Sequence, residues 1–535
     1  MRGVRFARPA RVAAVCTLVA VTFVATPAAH ASDDGPAVPV IVEASSVAAA
    51  TAAVDGVGGT VDLALPVVGG VAAHVRAGRL AALYADPALR VMEDATLHPT
   101  GGSFGPSSAD RAPADIKHDD TKHDDPKRDD SHQAGSGHGT PRPGVDPQLA
   151  ALDLPGDWSL ASGRGTAVAL VDTGVSATPD LQGNRLVRGP DLSGERDGVD
   201  RYGHGTFMAG LIAGDGTASA GTASPHYGVA PAATVVSVKV AGADGSTTVS
   251  RVIAGIGWVI TNRDAYGIGV LNLSFGVDAP MQYRFNPLSA AVEAAWASGI
   301  TVVVSAGNDG DGHVTSPGSD PYVVTVGAID NAGTPQTADD VVPAWSGRER
   351  FRHYSKPEVA ASGVSVVSLR APGSTVDVTH PEGRVGDVYF RGSGTSMSTA
   401  LVSGVAALLL AHHPAATPDD VKGALIDGGT DVRPSAREVD ADRADHADAR
   451  PDWWQHHRVA FDGLDRGLDD GMPWTATRWT ATRWTAIRWT STRWTSTRWT
   501  EAEWTATRWS STSWDSTRWT ATRWAAEAWP SQGWG

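Results

Sequence analysis

Three residue types that together can open an acyl bond stand at well-separated places in this chain. Asp172 follows the apolar run Ala167-Val-Ala-Leu-Val171 and precedes Thr173-Gly174. An acid therefore emerges where a buried strand would end, and a glycine lets the chain turn away. His204 lies in Gly203-His204-Gly205-Thr206, at the head of the apolar stretch 207–214. Small neighbours leave both ring nitrogens accessible, as a base requires if one nitrogen meets an acid and the other a nucleophile. Ser396, in Gly394-Thr395-Ser396-Met397-Ser398, opens a second apolar stretch. Free backbone N–H groups at such a helix start can hold an oxyanion forming on a bound carbonyl. Each residue alone also has an ordinary structural reading: a strand-end acid, a surface histidine at a helix start, an N-cap serine. Together, in the order Asp, His, Ser, they point to nucleophilic catalysis, and the order differs from His-Asp-Ser and Ser-Asp-His hydrolases. Asn308, in Ser305-Ala306-Gly307-Asn308-Asp309, sits just past another apolar run, where its amide can donate to the same oxyanion.

For these groups to meet, the chain must bring strand ends and helix starts to one place. Apolar runs of strand character (166–171, 234–240, 270–274, 301–305, 322–328) alternate with helical ones (206–213, 249–261, 288–298, 396–412, 418–425). Strands that are apolar throughout and separated by helices are covered on both faces. That predicts an α/β domain with a doubly wound, mostly parallel sheet over residues 145–447. Catalytic groups of such sheets gather at the carboxyl ends of the strands.

The chain before residue 145 has a different character. Arg2, Arg5, Arg8 and Arg11 precede the apolar run 12–26 and the small-x-small pattern Ala29-His30-Ala31, so residues 1–31 read as a secretory signal peptide. Pro27 and the small residues after it argue against a retained membrane anchor. Cys16, the only cysteine, lies inside that run, so no disulfide is expected after its removal. Over residues 38–94 the runs follow the order β-α-β-β-α-β, which predicts a small ferredoxin-like α+β module within 32–100. Residues 101–144 turn to Gly, Ser, Pro and charge, with Lys117-His118-Asp119-Asp120 and two related tetrads spaced five residues apart. This reads as a solvated, disordered spacer, with loose metal binding by its His and Asp as the other reading. A net charge of -15, from 44 Lys and Arg against 59 Asp and Glu, disfavours nucleic acid as a partner.

The four segments around Asp172, His204, Asn308 and Ser396 together resemble those of subtilisin-like serine proteases, the subtilases, over about 300 residues. The resemblance implies that Ser396 attacks a scissile carbonyl, His204 carries the proton, Asp172 orients the imidazole, and Asn308 with the Ser396 N–H holds the oxyanion. It also implies protein or peptide substrates docked as an added strand, between Gly245-Ser246-Thr247 and Leu273-Ser274-Phe275-Gly276. Ser274 to Gly276 and Ser305, Ala306 and Gly307 would then wall the pocket for the residue before the cut. Asp309 either biases that pocket toward basic side chains or is a solvated loop acid. Module 32–100 is similar to an inhibitory propeptide, an intramolecular partner of the enzyme. Two departures from the family pattern stand out: Ser398-Thr399-Ala400-Leu401 replaces Ala-x-Pro-His after Met397, and Phe207 stands where a second histidine is common. Both fall inside helices and should affect packing more than chemistry. No cofactor is required. Structural calcium, frequent in the family, is left unassigned, because residues 211–229 offer Asp215 alone.

After a linker, 448–472, tryptophan recurs at every fifth position from Trp474 to Trp534, mostly as Trp-Thr-x-Thr-Arg. Five residues advance a helix by about 140° net and a strand by an odd number, so neither gives one apolar face. Residues 473–535 read as a low-complexity repeat tail: a β-solenoid side, an extended tail with Arg478, Arg483 and Arg488 between indoles, or a spacer. Exposed Trp with Arg favours cell-wall polymer, sugar or anionic membrane surface. The tail also resembles those of some actinobacterial secreted subtilases. A second function class therefore stands beside the secreted endopeptidase, for which the tail suggests cell-surface association: a non-catalytic envelope-binding protein that works through this tail.

Overall fold

The computed structural model describes residues 35–447, except 101–102, 105–146, 155–161, 223–224, 278–282, 311, 335, 352–353 and 433–435. The expected signal peptide, most of the charged spacer, the linker 448–472 and the repeat tail lie outside the described residues.

The amino-terminal part forms a four-stranded antiparallel sheet from β1 (Ala37–Glu43), β2 (Thr60–Leu65), β3 (Gly70–Arg76) and β4 (Arg90–Glu93), in the order β2-β3-β1-β4. Ser46, whose side chain accepts from Ala49 N, caps the helix Val47–Gly56. Val67 and Val68, expected in a strand, instead follow Pro66 into a short 3-10 turn that ends at Gly69 in the left-handed region. Two short strands continue the chain, β5 (Thr96–Pro99) and β6 (Ser103–Phe104).

A nine-stranded sheet forms the larger part. Its members in chain order are β7 (Ala167–Asp172), β8 (Leu186–Asp191), β9 (Thr234–Lys239), then, after the short β10 (Thr247–Thr248), β11 (Ile268–Leu273). The short β12 (Phe275–Gly276) precedes β13 (Thr301–Ser305) and β14 (Val324–Ile329). A hairpin of β15 (Glu349–Arg350) and β16 (Ser355–Lys356) leads to β17 (Val359–Ser362). Beyond β18 (Val366–Leu369), β19 (Arg384–Val385) and β20 (Tyr389–Ser393), the sheet closes with β21 (Thr430–Val432) and β22 (Ala436–Glu438). The order is β21-β22-β17-β14-β13-β11-β7-β9-β8, and every neighbour pair except β21 with β22 is parallel.

The sequence explains the arrangement. Every residue of β7, β13 and β14 is buried, as runs covered on both faces require. From β7 the chain first builds to one side (β8, β9) and then to the other (β11, β13, β14), so the strand order reverses between β7 and β11. A crevice opens at the carboxyl ends beside such a reversal. The helix Thr395–His412 packs beneath β11, β13, β14 and β17 and against the helix His204–Ala213. Its length and hydropathy would suit a membrane span, but 83% of it is buried inside the protein, which makes it a core helix. Ser398 and Thr399, the departures noted above, serve packing: Ser398 Oγ donates to Ala361 O at 2.9 Å and Thr399 Oγ1 to Thr395 O at 2.7 Å. Propensity did not mark the short strands β17, β18 and β20–β22, whose stability comes from their neighbours.

Near the far edge of the sheet, the carboxyl groups of Asp340 and Glu438 are both buried without another hydrogen-bond partner. Two ionised carboxylates could not face each other there, and desolvation, with Asp340 beside it, holds the Glu438 carboxyl well above its usual range. A carboxyl whose pKa is raised on folding binds more protons folded than unfolded, so stability falls as pH rises above the unfolded value. Denaturant unfolding of wild type should therefore lose stability between about pH 5 and about pH 10, and Glu438→Gln should remove part of that loss. An identical pH slope in wild type and variant would contradict the raised Glu438 pKa.

Candidate active site

The strand order puts the carboxyl ends of β13, β11 and β7 side by side, and these ends carry Ser305, Ser274 and Asp172. Asp172 is fully buried; its Oδ1 accepts from Thr173 N at 2.8 Å and lies 2.8 Å from His204 Nδ1. His204 is equally buried and opens its helix. Gly205 makes the approach possible: a Cβ there would lie 2.1 Å from Gly174 O and 3.1 Å from Asp172 Oδ1.

Asp200, which sequence reasoning passed over, holds this junction together. Its carboxyl accepts from Gly203 N at 2.7 Å, Thr206 N at 2.8 Å, Thr206 Oγ1 at 2.7 Å and Thr173 Oγ1 at 2.8 Å. One buried acid thus ties the helix start that carries His204 to the residue beside Asp172. Burial pushes its pKa up against the hydrogen bonds that lower it. The available signal was an acid three residues before a Gly-His-Gly helix start, a capping pattern. The adjoining loop is held by Lys239, whose buried ammonium bonds Glu195 Oε2 at 2.6 Å and also Val199 O.

Ser396 lies in the first turn of the helix Thr395–His412, after Gly394. Its hydroxyl is 2.9 Å from Thr100 Oγ1, and His204 Nε2 has no hydrogen-bond partner, so the serine and the imidazole share the cleft without bonding each other. Asn308 faces the same place. Its Oδ1 accepts from Thr395 N at 3.0 Å and Thr395 Oγ1 at 3.1 Å, which turns Nδ2 to donate to Thr100 O. Thr395 therefore fixes which way the amide points.

The cleft is filled by the chain itself. β5 is the middle strand of a three-stranded antiparallel sheet, with Thr247 opposite Leu97 in β10, and Phe275 and Gly276 opposite Pro99 and His98 in β12. Thr100 N then donates to Ser274 O at 2.8 Å. Further along the chain, β6 pairs with β20, Phe104 opposite Gly392. The Phe104 ring packs edge-on to His204, Phe207 and Phe390. Phe207 thus forms part of the cleft wall as well as the core. Of the other expected contacts, Gly245 packs against the Tyr202 ring and Ser246 bonds Asp244, so both shape the turn before Thr247. Leu273 and Ala306 are buried behind the cleft, and Ser305 and Gly307 line it. Asp309 is exposed, 3.8 Å from His313. Asp215 is committed to Arg185 at 2.7 Å, and among the described residues no three His, Cys, Asp or Glu side chains gather as metal ligands.

A buried acid–imidazole pair, a serine at a helix start and an oriented amide on a doubly wound sheet define a site of the serine-nucleophile class. The model of the subtilase family matches residues 163–443, more than half of the chain, and the protein belongs to that family. It is 41% identical over 280 residues to the serine protease AprX of Bacillus subtilis, an alignment covering 50% of this chain and 62% of that one. It is 34% identical over 273 residues to subtilisin Savinase of Lederbergia lenta, covering 51% and 86%. Among solved structures, fervidolysin of Fervidobacterium pennivorans, a keratinolytic enzyme related to subtilisin, is similar in fold at a TM-score of 0.58. It is 23% identical, and the match covers 77% of this chain and 61% of that one.

If Asp200 acts by positioning His204, Asp200→Asn should lower kcat roughly 100-fold, the scale of an ångström-sized misplacement, with KM within about twofold. Equal losses in kcat and in the folded fraction by thermal melting would make its role purely structural.

Proposed function

We propose that this chain is a secreted serine endopeptidase made as a zymogen, with Asp172, His204 and Ser396 as its catalytic triad and Asn308 as oxyanion donor. The observation that carries the reading is the segment 96–100, which lies in the cleft as an added strand with the Thr100 carbonyl on Asn308 Nδ2. That is the pose a scissile carbonyl takes before attack. Ser396 Oγ adds to the Thr100 carbonyl carbon while His204 Nε2 takes its proton, and the negative oxygen is held by Asn308 and the Ser396 N–H. The proton then passes to the Gly101 nitrogen as the 100–101 bond breaks, leaving an acyl-enzyme that water hydrolyses.

Residues 37–100 act on this reading as an inhibitory propeptide, and 100–101 is the maturation bond. Further support comes from the anchoring of the segment upstream. Asp94 accepts from Ser250 N at 2.8 Å and Ser250 Oγ at 2.7 Å, capping the helix Val249–Tyr266 from outside, and Leu97 is buried in the main core. Export by residues 1–31 and envelope attachment by residues 473–535 remain readings of sequence that belong to the same proposal.

Wild type should be recovered with Gly101 at its amino terminus, by terminal sequencing and intact mass, whereas Ser396→Ala should keep residues 37–100 in covalent continuity. A Ser396→Ala chain cut at the same bond would sink self-processing. Asn308→Ala should lower turnover roughly 10²–10³-fold, the loss known for removal of a subtilisin oxyanion donor. Deleting 473–535 should leave peptide cleavage intact and reduce retention on cells; unchanged retention would remove the attachment role.

A further inference from the structure

Thr100 bonds the cleft through its side chain as well as its backbone. Its Oγ1 lies 3.0 Å from Ser274 O, 2.5 Å from Ser305 Oγ and 2.9 Å from Ser396 Oγ. A hydroxyl has one proton and two lone pairs. Its proton is offered to the Ser274 carbonyl and to the Ser305 hydroxyl, which both accept, and its lone pairs are left for the Ser396 hydroxyl.

The methyl group of the same side chain meets the opposite wall. A Cβ built on Gly276 would lie 3.1 Å from Thr100 Cγ2 and only 2.3 Å from Thr315 Oγ1. A Cβ on Gly307, across the pocket, would lie 3.0 Å from both Thr315 Oγ1 and Thr315 Cγ2. Thr315 therefore occupies the space that both glycines leave open and closes the pocket just beyond the Thr100 methyl. It is buried, and its backbone N–H donates to Ala306 O at 3.2 Å, which holds it in place. The pocket ends about one methyl group past the β-carbon of its occupant. One side presents the Ser305 hydroxyl and the Ser274 carbonyl; the other is glycine backed by Thr315, whose buried Oγ1 has no hydrogen-bond partner.

We propose that this pocket selects a small β-hydroxy residue, threonine first and serine second, immediately before the cut, with Ser305 and Thr315 as the specificity-determining side chains. The inference rests on the endopeptidase reading above and gives it a substrate class: peptides cleaved after Thr or Ser. Valine has the shape of threonine but leaves the Ser305 hydroxyl without the partner it has here, and such a loss weighs against it. Phenylalanine and arginine run into Thr315. The exposed Asp309 stands outside these contacts.

The test uses the processed enzyme and internally quenched peptides of residues 95–104, in native sequence and as Thr100→Ser, Thr100→Val, Thr100→Phe and Thr100→Arg. Expected is the highest kcat/KM for Thr, with Val lower by roughly 10-fold or more and Phe and Arg lower by roughly 100-fold. In the enzyme, Thr315→Gly should raise the Phe peptide relative to Thr by roughly 10-fold or more, and Ser305→Ala should narrow the gap between Thr and Val. Casein digestion and fluorophosphonate labelling of Ser396, run alongside, separate the two readings. Labelled enzyme that digests casein yet cuts the Phe, Arg or Val peptide as well as the Thr peptide overturns this inference and leaves the endopeptidase standing. Loss of labelling and of all cleavage in the wild type overturns both.

Discussion

A carboxyl group held wholly out of water at the end of the central strand is the constraint around which the cleft is organised. A buried acid is costly unless donors reach it. Asp172 Oδ1 receives the N–H of the next residue and faces His204 Nδ1, while Oδ2 has no partner, so the one satisfied oxygen also fixes the plane of the imidazole. The histidine reaches it only because Gly205 lets the helix start close to within contact of Gly174. Asp200 then binds that helix start back to Thr173, on the strand that carries Asp172. Strand end and helix start thus support each other, and neither can shift without leaving a buried polar group unpaired.

The same parallel sheet explains where the substrate-like strand lies. Three adjacent strands end at one level, and the chain leaving each has to turn away, which presents unpaired backbone at Ser274–Gly276 and, from the next crossover, at Thr247–Thr248. A segment laid between them makes main-chain bonds that any residue can supply. Discrimination is therefore confined to the few positions where a side chain meets a wall.

Much of this was legible in the chain. The continuous apolar runs gave the buried parallel strands within one or two residues, since a strand covered on both faces leaves an unambiguous pattern. Asp172, His204, Asn308 and Ser396 could be picked out because each interrupts such a run at its end with a glycine nearby. What remained hidden depended on contacts between distant parts of the chain. Asp200 and Thr395 act through hydrogen bonds to neighbours that are distant in sequence or set by the turn of the backbone. Thr315 lies beyond any motif and gains meaning only against Gly276 and Gly307. Thr100 and Phe104 sit in what reads as the start of a polar spacer, and nothing in their local sequence marks them as cleft occupants. Short strands such as β20 were missed because their partners, not their own propensity, make them strands.

The Thr100 hydroxyl brings recognition and reactivity into competition at a single oxygen. In the state described, Ser396 Oγ bonds Thr100 Oγ1 while His204 Nε2 stays unpaired, so the proposed nucleophile is engaged in holding the residue it would attack on that proposal. Attack requires the serine to turn about its side-chain torsion toward the imidazole, exchanging one hydrogen bond for another of similar strength. Thr100 keeps two of its three contacts after that turn, those to Ser274 and Ser305, so its place in the pocket is retained while the nucleophile is released. A serine side chain could make the same exchange but lacks the methyl group that fills the space against Gly276. Valine frees that serine from the start yet leaves the Ser305 hydroxyl unpaired. Threonine is thus the residue for which neither step, holding or releasing, strands a buried polar group.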